Sequence, residues 1–264
     1  MKTKLTYHLL DSTMKEYQRL TQFCPGTHQW IIRAKEQKAG RGRGDRYWYS
    51  PEGGLWLTFD IYYDDFIPNF PLFIAYCIHS LLLELFPLES LSIKWPNDIM
   101  WKNKKMAGIL CEHNEVEKKY IIGLGLNTNL NQEIIQDKHI VTISDAEKEN
   151  DLCIPVYDDA NQGKLKIAIL SSLIGFPISN EYLLELIIAN VYKKLDLLSK
   201  PKIYLDYINL WLYGLNQIVH AQLDNKIVIG KNIGVADDGT LLLKDKDAHI
   251  QKINYGSFRY IPDL

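Results

Sequence analysis

Residues 39–46, Ala-Gly-Arg-Gly-Arg-Gly-Asp-Arg, set three glycines at alternate positions among three arginines. Glycine reaches left-handed backbone conformations and lets a main chain approach a ligand closely. The guanidinium fork suits phosphate or carboxylate. The segment reads first as an anion-binding loop that orders over its ligand. A solvated turn and an arginine–glycine contact to nucleic acid stay open beside that reading. It is neither a GxxxxGK(S/T) phosphate loop nor a dinucleotide GxGxxG turn. In Lys94-Trp95-Pro96-Asn97-Asp98 a strand ends on lysine and breaks at proline, then presents two short oxygen-bearing side chains. Lys94 suits a phosphate. Asn97 and Asp98 suit Mg²⁺, which takes one or two protein ligands beside phosphate oxygens; an ordinary turn explains the same residues equally well. Lys105 enters a strand whose Ala107 and Gly108 lack bulk, so a flat ligand or a second backbone can lie there. A hairpin with exposed lysines is the alternative. Gly123-Leu124-Gly125-Leu126-Asn127 places two glycines inside a strand, which calls for close ligand approach or a bulge.

These segments need elements to hold them. Asp11 or Ser12 can cap a helix from Thr13 to Phe23. Gln29–Lys35, Gly54–Tyr63, Leu91–Trp95 and Tyr120–Asn127 read as strands, and Asp98–Trp101 with Lys105–Glu112 as a hairpin. Phe70–Phe86 is apolar nearly all round and predicts a buried helix, with His79 a hydrogen-bonded core residue. Residues 130–165 are polar and unpatterned, which predicts a long surface loop. Asn180–Leu198 and Lys202–Leu215 show helical spacing. From Ile218 the pattern changes to five short strands, 218–223, 226–235, 240–244, 249–253 and 258–261, a small all-β module.

Composition excludes whole classes. Thirty Lys and Arg stand against 32 Asp and Glu, a formal charge of −2, which argues against a general binder of nucleic acid or anionic membrane. No apolar run reaches the ~18 residues of a membrane span. The start MKTKLTYHLL turns polar at Asp11, so no signal peptide is expected. The four cysteines then read as reduced, mostly buried thiols of a cytoplasmic protein. Scattered histidines with no HxxxH or HxH pair give no zinc signature, and no GxSxG supports a serine hydrolase.

The ordered series DST (11–13), GRGR (40–43), KWPND (94–98), KMAGILCE (105–112) and GLGLN (123–127), closed by the module around Ile229–Leu243, resembles the biotin protein ligases over nearly the whole chain. The resemblance implies an α+β fold: a class II synthetase-like mixed sheet flanked by helices in residues 1–215, then a small SH3-like β-barrel in 216–264. It implies an ATP-dependent ligase that makes biotinyl-5′-AMP and passes biotin to a lysine of a biotin carboxyl carrier protein. Lys105 and Arg41 match the catalytic positions. Ser12, Thr13, Gln37, Gly40, Arg41, Lys105 and Gly108 match biotin contacts. Arg43, Trp48, Lys94, Asn97 and Asn127 match the adenylate or ATP face, and Asp98 with Asn97 match the Mg²⁺ side. Met14 departs from the family's usual asparagine, and Gly44-Asp45 replace a basic residue and glycine. Only ten residues precede Asp11, too few for the DNA-binding domain of family members that repress transcription. No DNA partner and no membrane partner are therefore expected, and a monomer or homodimer is. Three rivals remain. A lipoate or octanoate transferase would need a histidine and a glycine-rich loop that are absent. A nucleotide-binding regulator would have lost Lys105 or Arg41. An RNA-binding module would need a basic balance.

Overall fold

The computed structural model describes residues 2–24, 28–44, 46–131, 153–155, 164–223 and 226–260. In chain order the elements are β1 (Lys2–Leu10), α1 (Thr13–Phe23), β2 (Gln29–Arg41), β3 (Tyr47–Ser50), β4 (Leu55–Tyr62), α2 (Phe70–Leu85), β5 (Leu91–Lys94), β6 (Asp98–Trp101), β7 (Lys104–Asn114), β8 (Lys119–Leu126), β9 (Cys153–Pro155), β10 (Lys164–Lys166), α3 (Leu170–Ile174), α4 (Asn180–Lys194), a 3-10 turn (Leu195–Ser199), α5 (Pro201–Leu210), and β11 (Ile218–Leu223), β12 (Lys226–Val235), β13 (Leu241–Lys244), β14 (Ile250–Ile253) and β15 (Ser257–Tyr260). They fall into two units, residues 1–66 with 101–186 and residues 67–100 with 187–264.

The first unit is organised by β4, buried on both faces from Leu55 to Ile61. It pairs antiparallel with β2 on one edge and β8 on the other, giving the order β1-β2-β4-β8-β7, with β3 pairing the end of β2. β1 and β2 run parallel, so the sheet is mixed. α1 lies on β2, β4 and β8. It buries Met14 and Tyr17, one helical turn apart, against Trp30, Ile32 and Ile121. β1 carries little sequence signal because it alternates half-buried residues with exposed ones, as a polar edge strand does. The register of β8 against β4 and β7 is unbroken, so no bulge explains its glycines.

Two expectations change here. The glycine–arginine segment is not a free-standing loop: β2 runs on through Gly40 and Arg41 and pairs with β3, and the Gly42 N–H donates to the Arg46 carbonyl at 2.8 Å. The expected surface loop of residues 130–165 contains part of an antiparallel pair, β9 with β10; residues 132–152 and 156–163 lie outside the described set.

In the second unit α2 is buried along most of its length, and His79 Nδ1 lies 2.9 Å from the Tyr207 hydroxyl. α4 tightens to a 3-10 turn at Leu195, and α5 ends at Leu210, short of the expected Leu215. The five predicted C-terminal strands are present as one antiparallel sheet in the order β14-β13-β12-β11-β15, with a bulge between Asn232 and Gly234 on β12. No helix among the described residues is long and apolar enough to cross a membrane. Of the cysteines, Cys77 is buried, Cys111 half-buried and Cys24 exposed, all three as free thiols, so Cys24 departs from the buried expectation. The Cys153 side chain lies outside the described set.

Candidate active site

The start of α1 is capped from another element. Ser12 occupies the N-cap position in extended conformation, and its carbonyl accepts from Glu16 N–H at 3.0 Å, but its side chain makes no capping bond. The orphan N–H of Thr13 is met by Gln37 Oε1 of β2 at 2.8 Å. Ser12 is thereby relieved of the usual duty of an N-cap serine. The Thr13 hydroxyl also donates to Gln37 Oε1, at 3.2 Å. Ser12, Thr13 and Gln37 are all buried. Gly40 sits where a Cβ would stand 2.4 Å from the Trp48 carbonyl and 2.6 Å from Ser50 Oγ, so only glycine lets β3 close on β2 here.

Trp48 leads from β3 onto the floor of the sheet. Gly108 of β7 and Gly125 of β8 face each other in register. A Cβ on Gly108 would lie 2.7 Å from the Trp48 ring, and one on Gly125 would lie 2.5 Å from Trp48 Nε1. Each glycine therefore seats the indole, which also meets Trp56 edge-on at 6.5 Å. The close approach expected of a ligand at Gly125 is made by this side chain. Gly123 serves Met14 in the same way, a Cβ there standing 3.0 Å from Sδ. Lys105 Nζ lies 4.9 Å from the Trp48 ring centroid. The backbone of Lys105 is held twice, its carbonyl accepting from Ala168 N–H at 2.9 Å and from Asn127 Nδ2 at 3.1 Å. Asn127 is buried, and its Oδ1 has no partner among the described residues, an acceptor left open inside the protein.

Arg41 leaves the end of β2 toward Glu112 on β7, Nη1 to Oε1 3.9 Å, with both side chains partly exposed. Arg43 stands between Gly42 and Gly44, and Gly44 takes a positive φ of 60°. The first unit thus brings together Thr13 and Gln37 by hydrogen bond, Gly40 and Trp48 by strand pairing, and Trp48 with Lys105, Gly108 and Gly125 by ring contact.

The second unit carries the others. Lys94 ends β5 with Nζ 5.9 Å from the Tyr213 ring centroid. The Asn97 N–H donates to the Lys94 carbonyl at 3.2 Å, closing the turn around Pro96. Trp95 is buried and donates its Nε1 proton to the Gly239 carbonyl at 3.0 Å. Asn97 and Asp98 are adjacent hard-oxygen donors, one buried and one half-buried, a pair whose chemistry fits Mg²⁺ with phosphate oxygens completing its shell.

Sequence reasoning singles out neither Ser50 nor Thr58. Ser50 Oγ accepts from Gln37 Nε2 at 2.8 Å and Thr58 Oγ1 donates to Thr13 Oγ1 at 2.8 Å. The one available signal is a hydroxyl interrupting the otherwise apolar run Leu55–Phe59.

The comparisons agree from three directions. The model of the biotin/lipoate A/B protein ligase family matches residues 6–129, and that of the biotin protein ligase C-terminal domain matches 214–259. The bifunctional ligase/repressor BirA of Bacillus subtilis is 30% identical over 268 residues, covering 94% of this chain and 71% of that protein. The biotin–[acetyl-CoA-carboxylase] ligase of Paracoccus denitrificans is 33% identical over 129 residues, 44% of this chain and 51% of that one. Among solved structures, biotin protein ligase from Aquifex aeolicus in complex with biotin and ATP superposes with a TM-score of 0.73 at 22% identity, covering 99% of this chain and 100% of that one, which speaks for the fold.

Proposed function

The chain belongs to the biotin protein ligase family, and from that premise we propose that it activates biotin with ATP as biotinyl-5′-AMP and transfers it to a lysine of a biotin carboxyl carrier protein. The observation that carries this reading is the first unit's own arrangement: a buried polar end at Thr13 and Gln37, and a lysine held above a tryptophan seated on two facing glycines. A ligand with a compact polar head, an apolar ring and a terminal carboxylate fits such a series. The match of the second family model at 214–259 favours biotin over the lipoate branch. It also supports reading residues 1–215 as the ligase domain and 216–264 as the appended one.

Ser12 and Thr13 hydrogen-bond the ureido head, with Gln37 holding both the helix end and the ligand side. Gly40 lets β3 close, and Gly108 seats the Trp48 indole that walls the ring. Arg41 and Lys105 meet the carboxylate. That oxygen attacks the α-phosphorus of ATP and pyrophosphate leaves; such transfer needs positioning and charge neutralisation, which Lys105 and Arg41 provide. Arg43, Lys94, Asn97 and Asn127 are the proposed nucleotide contacts, and the open Asn127 Oδ1 suits an N–H donor. Asp98 with Asn97 would hold Mg²⁺, which when bound offsets phosphate charge. A carrier lysine then attacks the acyl carbon and AMP departs, with no covalent enzyme intermediate. The reaction draws on ATP and a carrier protein, so the cytoplasm is its proposed location. Neither DNA nor membrane enters it, and the enzyme acts as monomer or homodimer.

The test is incubation with radiolabelled biotin, MgATP and a carrier domain, followed by gel autoradiography. Label on the carrier that depends on ATP supports the reading. No label on the carrier, together with no biotin-dependent pyrophosphate exchange, overturns it.

A further inference from the structure

Past the end of β8 the chain reads Asn127-Thr128-Asn129, and each of these polar side chains bonds a different stretch of the first unit. Asn127 Nδ2 donates to the Lys105 carbonyl at 3.1 Å, and Thr128 Oγ1 donates to the Gly53 carbonyl at 2.7 Å. Asn129 makes two bonds to one residue. The Ile178 N–H donates to its Oδ1 at 2.8 Å, and its Nδ2 donates to the Ile178 carbonyl at 2.8 Å. A backbone N–H only donates and a carbonyl only accepts, so the orientation of this amide is decided. The side chain exchanges both bonds with a main chain, as a residue of a paired strand does. Asn180 completes the connection, its Nδ2 donating to the Gly53 and Gly54 carbonyls at 3.0 and 3.1 Å. The Gly53 carbonyl also accepts from Asn129 N–H at 3.1 Å. Residues 53–54, 128–129 and 178–180 therefore hold one another in a closed ring of hydrogen bonds.

We infer that Asn129 is a positioning residue for adenylation: by tying the chain just beyond Asn127 to residue 178, it keeps the open Asn127 Oδ1 in a fixed relation to Lys105. The inference rests on the reading of Asn127 as a nucleotide contact. Asn127 is bonded at its N–H to the Met106 carbonyl and at its carbonyl to Leu170 N–H, both at 2.9 Å, and its Nδ2 is engaged by Lys105. Oδ1 is the acceptor left over. On one side of Asn127 the paired strand β8 fixes the main chain. On the other side two devices do so: the start of α3, through Leu170 and Ser171 N–H, and the ring through Asn129. Without the Asn129 amide the second device opens while the first remains. Asn127 Oδ1 then wanders, and small misplacements of a contact group cost rate out of proportion to their size. Thr13, Gln37 and Gly40 hang on α1, β2 and β3, outside the ring. The loss therefore falls on the nucleotide side.

The experiment measures biotin-dependent pyrophosphate exchange, varying ATP and biotin separately, in wild type, Asn129→Ala, Asn129→Asp, Asn127→Ala and the two alanine substitutions combined. Asn129→Ala is expected to raise KM for ATP about three- to tenfold, the range of one lost hydrogen bond, and to leave KM for biotin within about twofold. Asn129→Asp keeps the size of the side chain but sets a carboxylate against the Ile178 carbonyl, so it should fail as alanine does. In the Asn127→Ala background the second substitution should add less than about twofold, because the residue it acts through is gone; a loss that came only from general destabilisation would multiply in full. Asn180→Ala opens the same ring from its other side, and it supplies the comparison if the Asn129 variants do not fold. Wild-type KM for ATP in these variants, an aspartate protein indistinguishable from wild type, an equal rise in both KM values, or fully multiplicative effects each overturn the inference. Absence of exchange from wild type itself overturns the functional reading and this inference with it, an outcome distinct from active protein without the split.

Discussion

Lys105 stands on a backbone pinned by two hydrogen bonds, with its ammonium 4.9 Å from the Trp48 ring centroid. Pinning the main chain aims a flexible four-carbon side chain at one region. In the role proposed for it, a charge so aimed acts on what develops at the α-phosphate more than on ground-state binding. Lys105→Ala should therefore lower pyrophosphate exchange by ~10² or more, the size seen when one preorganised donor is lost. Biotin binding measured by calorimetry should change far less; exchange within threefold of wild type would remove Lys105 from the chemistry. Arg43 is proposed to act after that step. Arg43→Gly should still form the adenylate but release it, because a bond to a charged group is worth about 1.5–3 kcal/mol, or roughly 10- to 150-fold in dissociation. Biotin blotting of serum albumin added to the reaction reads the leak directly. Equal albumin labelling by mutant and wild type, with adenylate still made, would assign retention to another residue.

At the scale of elements, α1 depends for its first N–H on Gln37 of β2, 24 residues further along the chain than Thr13. Gln37→Ala should cost about 1 kcal/mol of stability, the worth of a helix cap. It should also raise KM for biotin, since Thr13 loses the acceptor that orients it. Chemical denaturation and exchange kinetics together check this; a stability loss with no change in KM would leave Gln37 a cap only. The same pair shows what can be read from the sequence. The extent of α1 is legible because Met14 and Tyr17 fall one turn apart and polar residues precede them. The strands β4 and β8 are legible as largely apolar runs. The cap is not, because a glutamine in a strand has no local mark of the helix it serves. The glycines at 108 and 125 announce close approach correctly, but nothing beside them says what approaches. The indole of Trp48 comes from the β2–β3 hairpin and fills the seat on β7 and β8, and such a contact between residues far apart in sequence leaves no trace in local spacing.

For the molecule as a whole, His79 couples stability to pH. It is buried in α2 beside Tyr207, and burial pushes its pKa from the ordinary 6.5 down to about 4. The unfolded chain takes up this proton near pH 6.5, while the folded protein resists until about 4. Between those values the unfolded state binds more protons, so the contribution present above pH 6.5 is lost as pH falls, by about 3 kcal/mol in all. Urea denaturation of wild type and His79→Phe at pH 7 and pH 4.5 isolates it. The wild type should lose more stability than the variant over that interval, and parallel losses would show that His79 is not the group responsible.

The division of each unit into two stretches of sequence sets an order on the ribosome. β4 leaves the exit tunnel well before β8, the strand that covers its second edge, because residues 67–100 belong to the other unit and are made in between. During that interval an apolar strand waits with one side unpaired, the situation in which nascent chains pair wrongly or recruit chaperones. The second unit, begun at residue 67, is likewise incomplete until the strands after residue 217 have emerged. A cut between 66 and 101 therefore leaves partial units on both fragments rather than a finished domain and a remainder.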